Sequence, residues 1–294
     1  MTEAIAPTTD VTTHTLEVPG AMLTYDVRKN DTGTEPVLLM IGSPMAAAGF
    51  GTLAGHFTDR TVVTYDPRGS ERSEMTADAV ESSPDVHADD LHRLISSLGV
   101  GPVDLFASSG GAVNALALVA RHPDDVRTLV AHEPPTAQVL PDREESLAAV
   151  NDINETYRRS GWGAAMAKFI AIVSHKGPIP ADLADQPVDP AMFGLPTEDD
   201  GSRNDPMFGG SMSATTDYPP DFDALRQAST RIVICAGVES EGILAARAAD
   251  VIAERLGQTL TIFPSDHGGF LGGEYGQTGK PAEFAAALRQ VLRA

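Results

Sequence analysis

Eight short β-forming runs set the terms for this chain: residues 16–18, 22–27, 37–41, 62–65, 103–107, 128–131, 232–236 and 260–263. Several are apolar without interruption. A half-buried strand alternates apolar and polar residues, so continuous apolar runs of this length belong to strands covered on both faces of a parallel sheet. The first two flank Pro19-Gly20 and read as a hairpin. Amphipathic patterns lie between the others. Residues 84–98 follow Ser83 as N-cap and carry Pro84 at the first helical position. They place Val86, Leu91, Leu94, Ile95 and Leu98 on one stripe and stop at Gly99. Further helices are expected at 110–121, 242–256 and 281–292. This alternation predicts an α/β fold, a mostly parallel eight-stranded sheet flanked by helices.

The alternation fails once. Residues 134–223 hold helical patterns at 143–160 and 162–174, then a stretch at 176–220 with 8 of the 21 prolines, and no convincing strand. The expected organisation is a flexible tail at 1–14, a core from 15–133 and 224–294, and a helical cap at 134–223. Inserted after the sixth strand, the cap would cover the C-terminal sheet edge, where such sheets bind ligands.

Composition narrows the function classes. The 294 residues contain 21 Lys and Arg against 41 Asp and Glu, a formal charge of −20. Phosphate binding relies on clustered cations, so neither nucleic acid nor an anionic membrane is an expected partner. The single cysteine, Cys235, excludes an internal disulfide and a Cys-based zinc site. No two-His-plus-carboxylate cluster stands at ligand spacing, so no metal or other cofactor is expected. No apolar run approaches the ~20 residues of a membrane span. The first residues lack the basic and apolar regions of a secretion signal, and the expected location is cytoplasmic. A small-molecule substrate and a homodimer are both compatible with this composition.

The sharpest chemical motif is Val103-Asp104-Leu105-Phe106-Ala107-Ser108-Ser109-Gly110-Gly111. It reads as a strand, a tight turn of small residues and a helix start, the small-x-Ser-x-Gly pattern of a nucleophile elbow. Only Ser109, not Ser108, has small residues at both −2 and +2. Such a turn holds its serine at strained backbone angles, so its flanks must be small, and the hydroxyl projects above the sheet at a helix N-terminus that favours negative charge. A phosphate-cradling turn is the other reading, but neither GxGxxG nor GxxxxGK[ST] is present.

With this elbow, the Ile41-Gly42-Ser43-Pro44-Met45 loop, the Tyr65-Asp66-Pro67-Arg68-Gly69-Ser70-Glu71-Arg72-Ser73 turn and the Phe263-Pro264-Ser265-Asp266-His267-Gly268-Gly269-Phe270 loop, the chain resembles the α/β-hydrolase superfamily over nearly all of residues 15–294. The resemblance implies a base histidine in the loop after the last strand, which is His267. It implies backbone oxyanion donors at Ser43, after the third strand, and at Gly110. Ile41-Gly42 stands where many members have His-Gly. The 66–73 turn is structural in the family. The triad acid is open. The usual aspartate after the seventh strand is absent and Glu239 stands nearby, while Glu133, ending the sixth strand, fits a variant found among haloalkane dehalogenases. Glu133 is the preferred acid because a buried charge is costly without a partner.

The expected function is a serine esterase or lactonase acting on a small, largely apolar substrate through an acyl-enzyme on Ser109. A serine nucleophile argues against the aspartate-dependent family chemistries, dehalogenation and epoxide hydrolysis. C–C bond hydrolysis, acyl transfer, cofactor-free peroxidase chemistry and non-catalytic small-molecule binding are the alternatives. Trp162, Met166, Phe169, Ile170, Met192, Phe193, Met207, Phe208 and Met212 stand either to line an apolar pocket or to pack the insert on the sheet.

Overall fold

The structure, a computed structural model, describes residues 10–77, 82–183 and 186–294. Nine strands form one sheet: β1 (Val11–Val18), β2 (Ala21–Arg28), β3 (Leu38–Ile41), β4 (Val62–Asp66), β5 (Glu74–Met75), β6 (Val103–Ser108), β7 (Val126–His132), β8 (Arg231–Gly237) and β9 (Thr261–Phe263). Their order is β1-β2-β4-β3-β6-β7-β8-β9, with the two-residue β5 paired to β2. β1 and β2 are antiparallel to their neighbours, and every pair from β4 to β9 is parallel. The helices are α1 (Gly51–Gly55), α2 (Pro84–Leu98), α3 (Gly110–Arg121), α4 (Arg143–Val173), α5 (Met212–Thr216), α6 (Phe222–Gln227), α7 (Leu244–Arg255) and α8 (Pro281–Arg293).

The central strands are buried on both faces. Leu39, Leu105, Leu129 and Ile234 join one core with residues of α2, α3 and α7. Their strand neighbours Leu38, Met40, Phe106, Val130 and Cys235 join a second core with α1 and α8. Successive residues of a strand point to opposite faces, so two apolar layers demand the uninterrupted apolar runs seen in the sequence. The second core is aromatic around His132, whose ring centroid lies 5.3–6.4 Å from those of Phe106, Phe263, Phe270 and Phe284. Buried charges are paired: Arg68 forks onto Asp90 at 2.7 and 2.6 Å, and Arg60 reaches Asp104 at 2.9 Å.

Three expectations need correction. The sheet has nine strands, because β5 is too short to leave an apolar pattern. β1 begins at Val11, inside the stretch expected to be tail, because Val11–Thr15 are exposed and the backbone ladder to β2 alone makes them a strand. Residues 1–9 lie outside the described residues. The two helical patterns at 143–160 and 162–174 are both helical as expected and meet within α4 at Gly161, whose φ of 80° and ψ of −174° break the helix between them. α7 starts at Leu244 rather than 242 because Gly242 has φ 88°.

Between β7 and β8 the chain leaves the sheet for α4, α5 and irregular segments, and its two stems clasp each other. Thr136 Oγ1 donates to Tyr218 O at 2.5 Å, and Gln138 Nε2 to Asp217 Oδ1 at 2.5 Å. Among the described residues, no helix is long and apolar enough to cross a membrane.

Candidate active site

The C-terminal ends of β6, β7 and β8 lie side by side, with Ser108 opposite His132 and His132 opposite Cys235. The residues that follow these strands therefore meet at one edge. Ser109 links β6 to α3 with φ 57° and ψ −130°, and its N–H donates to His132 O at 2.9 Å. A left-handed φ on a non-glycine residue costs of order 1–3 kcal/mol and persists where the surroundings over-determine it. Ser109, Glu133 and Ser265 make three of the five such residues described, so the strain concentrates at this edge.

The start of α3 lies against the loop after β3. A Cβ on Gly110 would stand 2.5 Å from Ser43 O, and one on Gly111 2.8 Å from Gly42 Cα. Only glycine permits this approach, which puts the backbones of Ser43 and Gly110, the two expected oxyanion donors, in direct contact. Gly237 plays the same part across the edge, where a Cβ would stand 2.5 Å from Ser265 O. That closeness brings the loop carrying His267 against the end of β8.

Glu133 immediately follows β7, fully buried, with φ 50°. Its N–H donates to Cys235 O at 2.9 Å, and its Oε1 accepts the Gly237 N–H at 2.8 Å. Its Oε2 lies 2.5 Å from His267 Nδ1. Burial works to raise its pKa, but the His267 hydrogen bond, the neighbouring imidazoles and the Gly237 N–H together hold it down at about 2. A carboxylate this acidic only accepts, so His267 Nδ1 donates to it, on a ring that is about half exposed. Glu239 lies beside the same loop, its N–H donating to Ser265 O at 2.9 Å, but its carboxylate is exposed and paired with Lys280 Nζ at 2.6 Å. Among the described residues, the Ser109 hydroxyl makes no hydrogen bond.

One participant escapes sequence reasoning. His132 is fully buried beneath this pair, its Nδ1 3.2 Å from Ser108 Oγ, its Nε2 3.7 Å from Glu133 Oε1 and its ring centroid 5.9 Å from that of His267. Burial lowers its pKa to about 4, so at neutral pH it is uncharged. The sequence shows His132 as the end of a strand, and only the register of β6 on β7 reveals its contact with Ser108.

Most of the apolar residues named in the insert pack inward. Phe208 is in the core beside α2, α3 and α7, and Trp162, Met166, Phe169, Met207 and Met212 pack against it. Met192 and Phe193 remain exposed. The 66–73 turn is an ion-paired brace: Arg72 bonds both Asp66 and Asp26, while Asp66 Oδ1 accepts the Ala47 N–H at 3.0 Å.

The sequence profile of the alpha/beta hydrolase fold matches residues 36–271. An uncharacterized hydrolase of Bacillus subtilis (strain 168), YraK, is 29% identical over 286 residues, 95% of each chain. Two solved structures share the architecture. A thermophilic esterase from Thermogutta terrifontis has a TM-score of 0.66 and 20% identity over 95% of this chain and 98% of its own. The enol-lactonase from Burkholderia xenovorans LB400 has a TM-score of 0.66 and 16% identity over 96% of this chain and all of its own. At these identities the two structures speak to the fold alone.

Proposed function

The chain belongs to the α/β-hydrolase family of hydrolases, and from that premise we propose that it cleaves a small carboxylic ester or lactone through an acyl-enzyme on Ser109. The observation that carries this reading is the buried Glu133 carboxylate, 2.5 Å from His267 Nδ1, at the sheet edge where Ser109 occupies its strained turn. Ser109 Oγ attacks the carbonyl carbon while His267 Nε2 takes its proton. Glu133 orients the ring and stabilises the imidazolium that forms. The Ser43 and Gly110 amides receive the oxyanion. His267 then protonates the leaving alkoxide, and water, deprotonated by the same nitrogen, releases the acid. The hydroxyl–imidazole hydrogen bond forms with substrate in place, as such bonds often tighten only in the complex. The segment between β7 and β8 serves as the cap that shapes the substrate's surroundings.

A fluorophosphonate probe should label Ser109 of the wild type, and a panel of aryl esters, alkyl esters and lactones should contain substrates. Ser109→Ala should lose both labelling and turnover while keeping its fold by circular dichroism. Full activity in the alanine variant would overturn the mechanism, and an unlabelled, inactive wild type would favour a binding protein.

A further inference from the structure

Distant from this edge, where α2 packs against the end of α3, two histidines lie face to face. His92 on α2 and His122, just past α3, have ring centroids 3.9 Å apart and planes within 9°. Each has a carboxylate at its side. His92 Nδ1 is 2.6 Å from Asp125 Oδ2, and His122 Nε2 is 3.6 Å from Asp89 Oδ1. Asp89 and His92 stand three apart on α2, and His122 and Asp125 three apart across the turn after α3. The spacing within each half is unremarkable, so the sequence hides the site. Packing of α2 on α3 superposes the halves.

We infer that His92, His122 and Asp125 form a site for a divalent first-row transition metal ion such as Zn²⁺. One donor atom from each of the three lies within 4.8 Å of the others. Ligands that share a zinc ion at ~2.1 Å are at most ~4.2 Å apart, and an imidazole binds in its own ring plane, so the site closes when the two stacked rings rotate toward a common point beside Asp125. His122 Nε2 is buried and has no hydrogen-bond partner among the described residues. Its nearest charged group is Asp89 Oδ1 at 3.6 Å, beyond hydrogen-bond reach, which leaves this nitrogen able to turn to a metal. Two imidazoles with one carboxylate suit zinc, nickel or copper, whereas magnesium and calcium prefer oxygen donors throughout. Asp89 is engaged by Arg121 at 3.2 Å and acts as a flanking charge rather than a ligand. The two rings are partly exposed, so an ion can approach the pair from solvent. The metal joins α2 to the far end of α3, whose first residue follows Ser109, so its effect is on stability rather than on the chemistry at the serine.

The test uses the full chain freed of metal with a chelator. Calorimetry with ZnCl₂ should give one saturable site, and zinc at a hundredfold excess over Kd should raise Tm by about 5 °C, with MgCl₂ doing neither. His122→Gln and Asp125→Asn should each weaken zinc binding roughly tenfold or more. His92→Gln combined with His122→Gln should abolish both binding and the Tm rise. Each variant's Tm without metal reports whether it folds. Ester turnover should be the same with and without zinc. No saturable zinc binding by the wild type would overturn the proposal, as would an undiminished response in the folded variants, which would assign the ion to other histidines.

Discussion

At the scale of single residues, Glu133 carries the largest consequence. Its carboxyl sits at about 2 in the folded chain against an ordinary 4.5. A folded pKa below the unfolded one means the charged form stabilises the fold, fully above about 4.5 and progressively less as the pH falls toward 2. Glu133→Gln should therefore flatten the loss of stability in that acid window, read by urea unfolding at several pH values. The amide no longer fixes the His267 tautomer or supports an imidazolium, so kcat should fall about 10⁴-fold. A Gln variant with near-parental kcat would remove Glu133 from the mechanism. The choice between Glu133 and Glu239 was half-legible in the sequence. Both are carboxylates at or just past the end of an apolar strand, and what separates them is that one is sealed between β7 and β8 while the other pairs with a lysine far away in sequence.

At the scale of elements, contact between the start of α3 and the loop after β3 is the tightest constraint. Gly110→Ala forces a Cβ to 2.5 Å from Ser43 O, so one backbone must move. Overpacking of this kind costs ~1–3 kcal/mol of stability, and separating the two amides should lower kcat by ~10²–10³-fold. Urea unfolding and steady-state kinetics on the same variant check both. Unchanged kcat would mean that the two amides do not act together. The elements themselves were legible where burial on both faces left a continuous apolar run, as in β3, β4, β6, β7 and β8. They were not legible where backbone hydrogen bonds alone hold them, as in the exposed first half of β1 and the two residues of β5. The elbow was legible because steric demand there selects small residues at fixed offsets. His132, and the pairing of His92 with His122, depend on which elements become neighbours, and local sequence does not encode that.

At the scale of the whole molecule, charge is unevenly distributed. Residues 134–223 contain 15 Asp and Glu against 6 Lys and Arg, nearly half the chain's net −20 on under a third of its length. If this segment covers the candidate site, substrates approach through a negative field. Neutral or cationic esters should then have higher kcat/KM than polyanionic ones at low salt. The gap should narrow as the screening length shrinks to ~10 Å at 0.1 M salt. A salt-insensitive preference for acidic esters would contradict this. Within that same architecture, Pro134 and Pro135 directly follow Glu133, and each ring locks its own backbone torsion. Glu133 is also bonded through its backbone and side chain to β8, so its position belongs to the sheet. On the proposed mechanism, the carboxylate that orients His267 thus belongs to a fixed chassis, and the long excursion that starts two prolines later hangs from it as an attachment. On that reading the attachment can change in length or charge, and so change what enters, while Glu133 keeps its place.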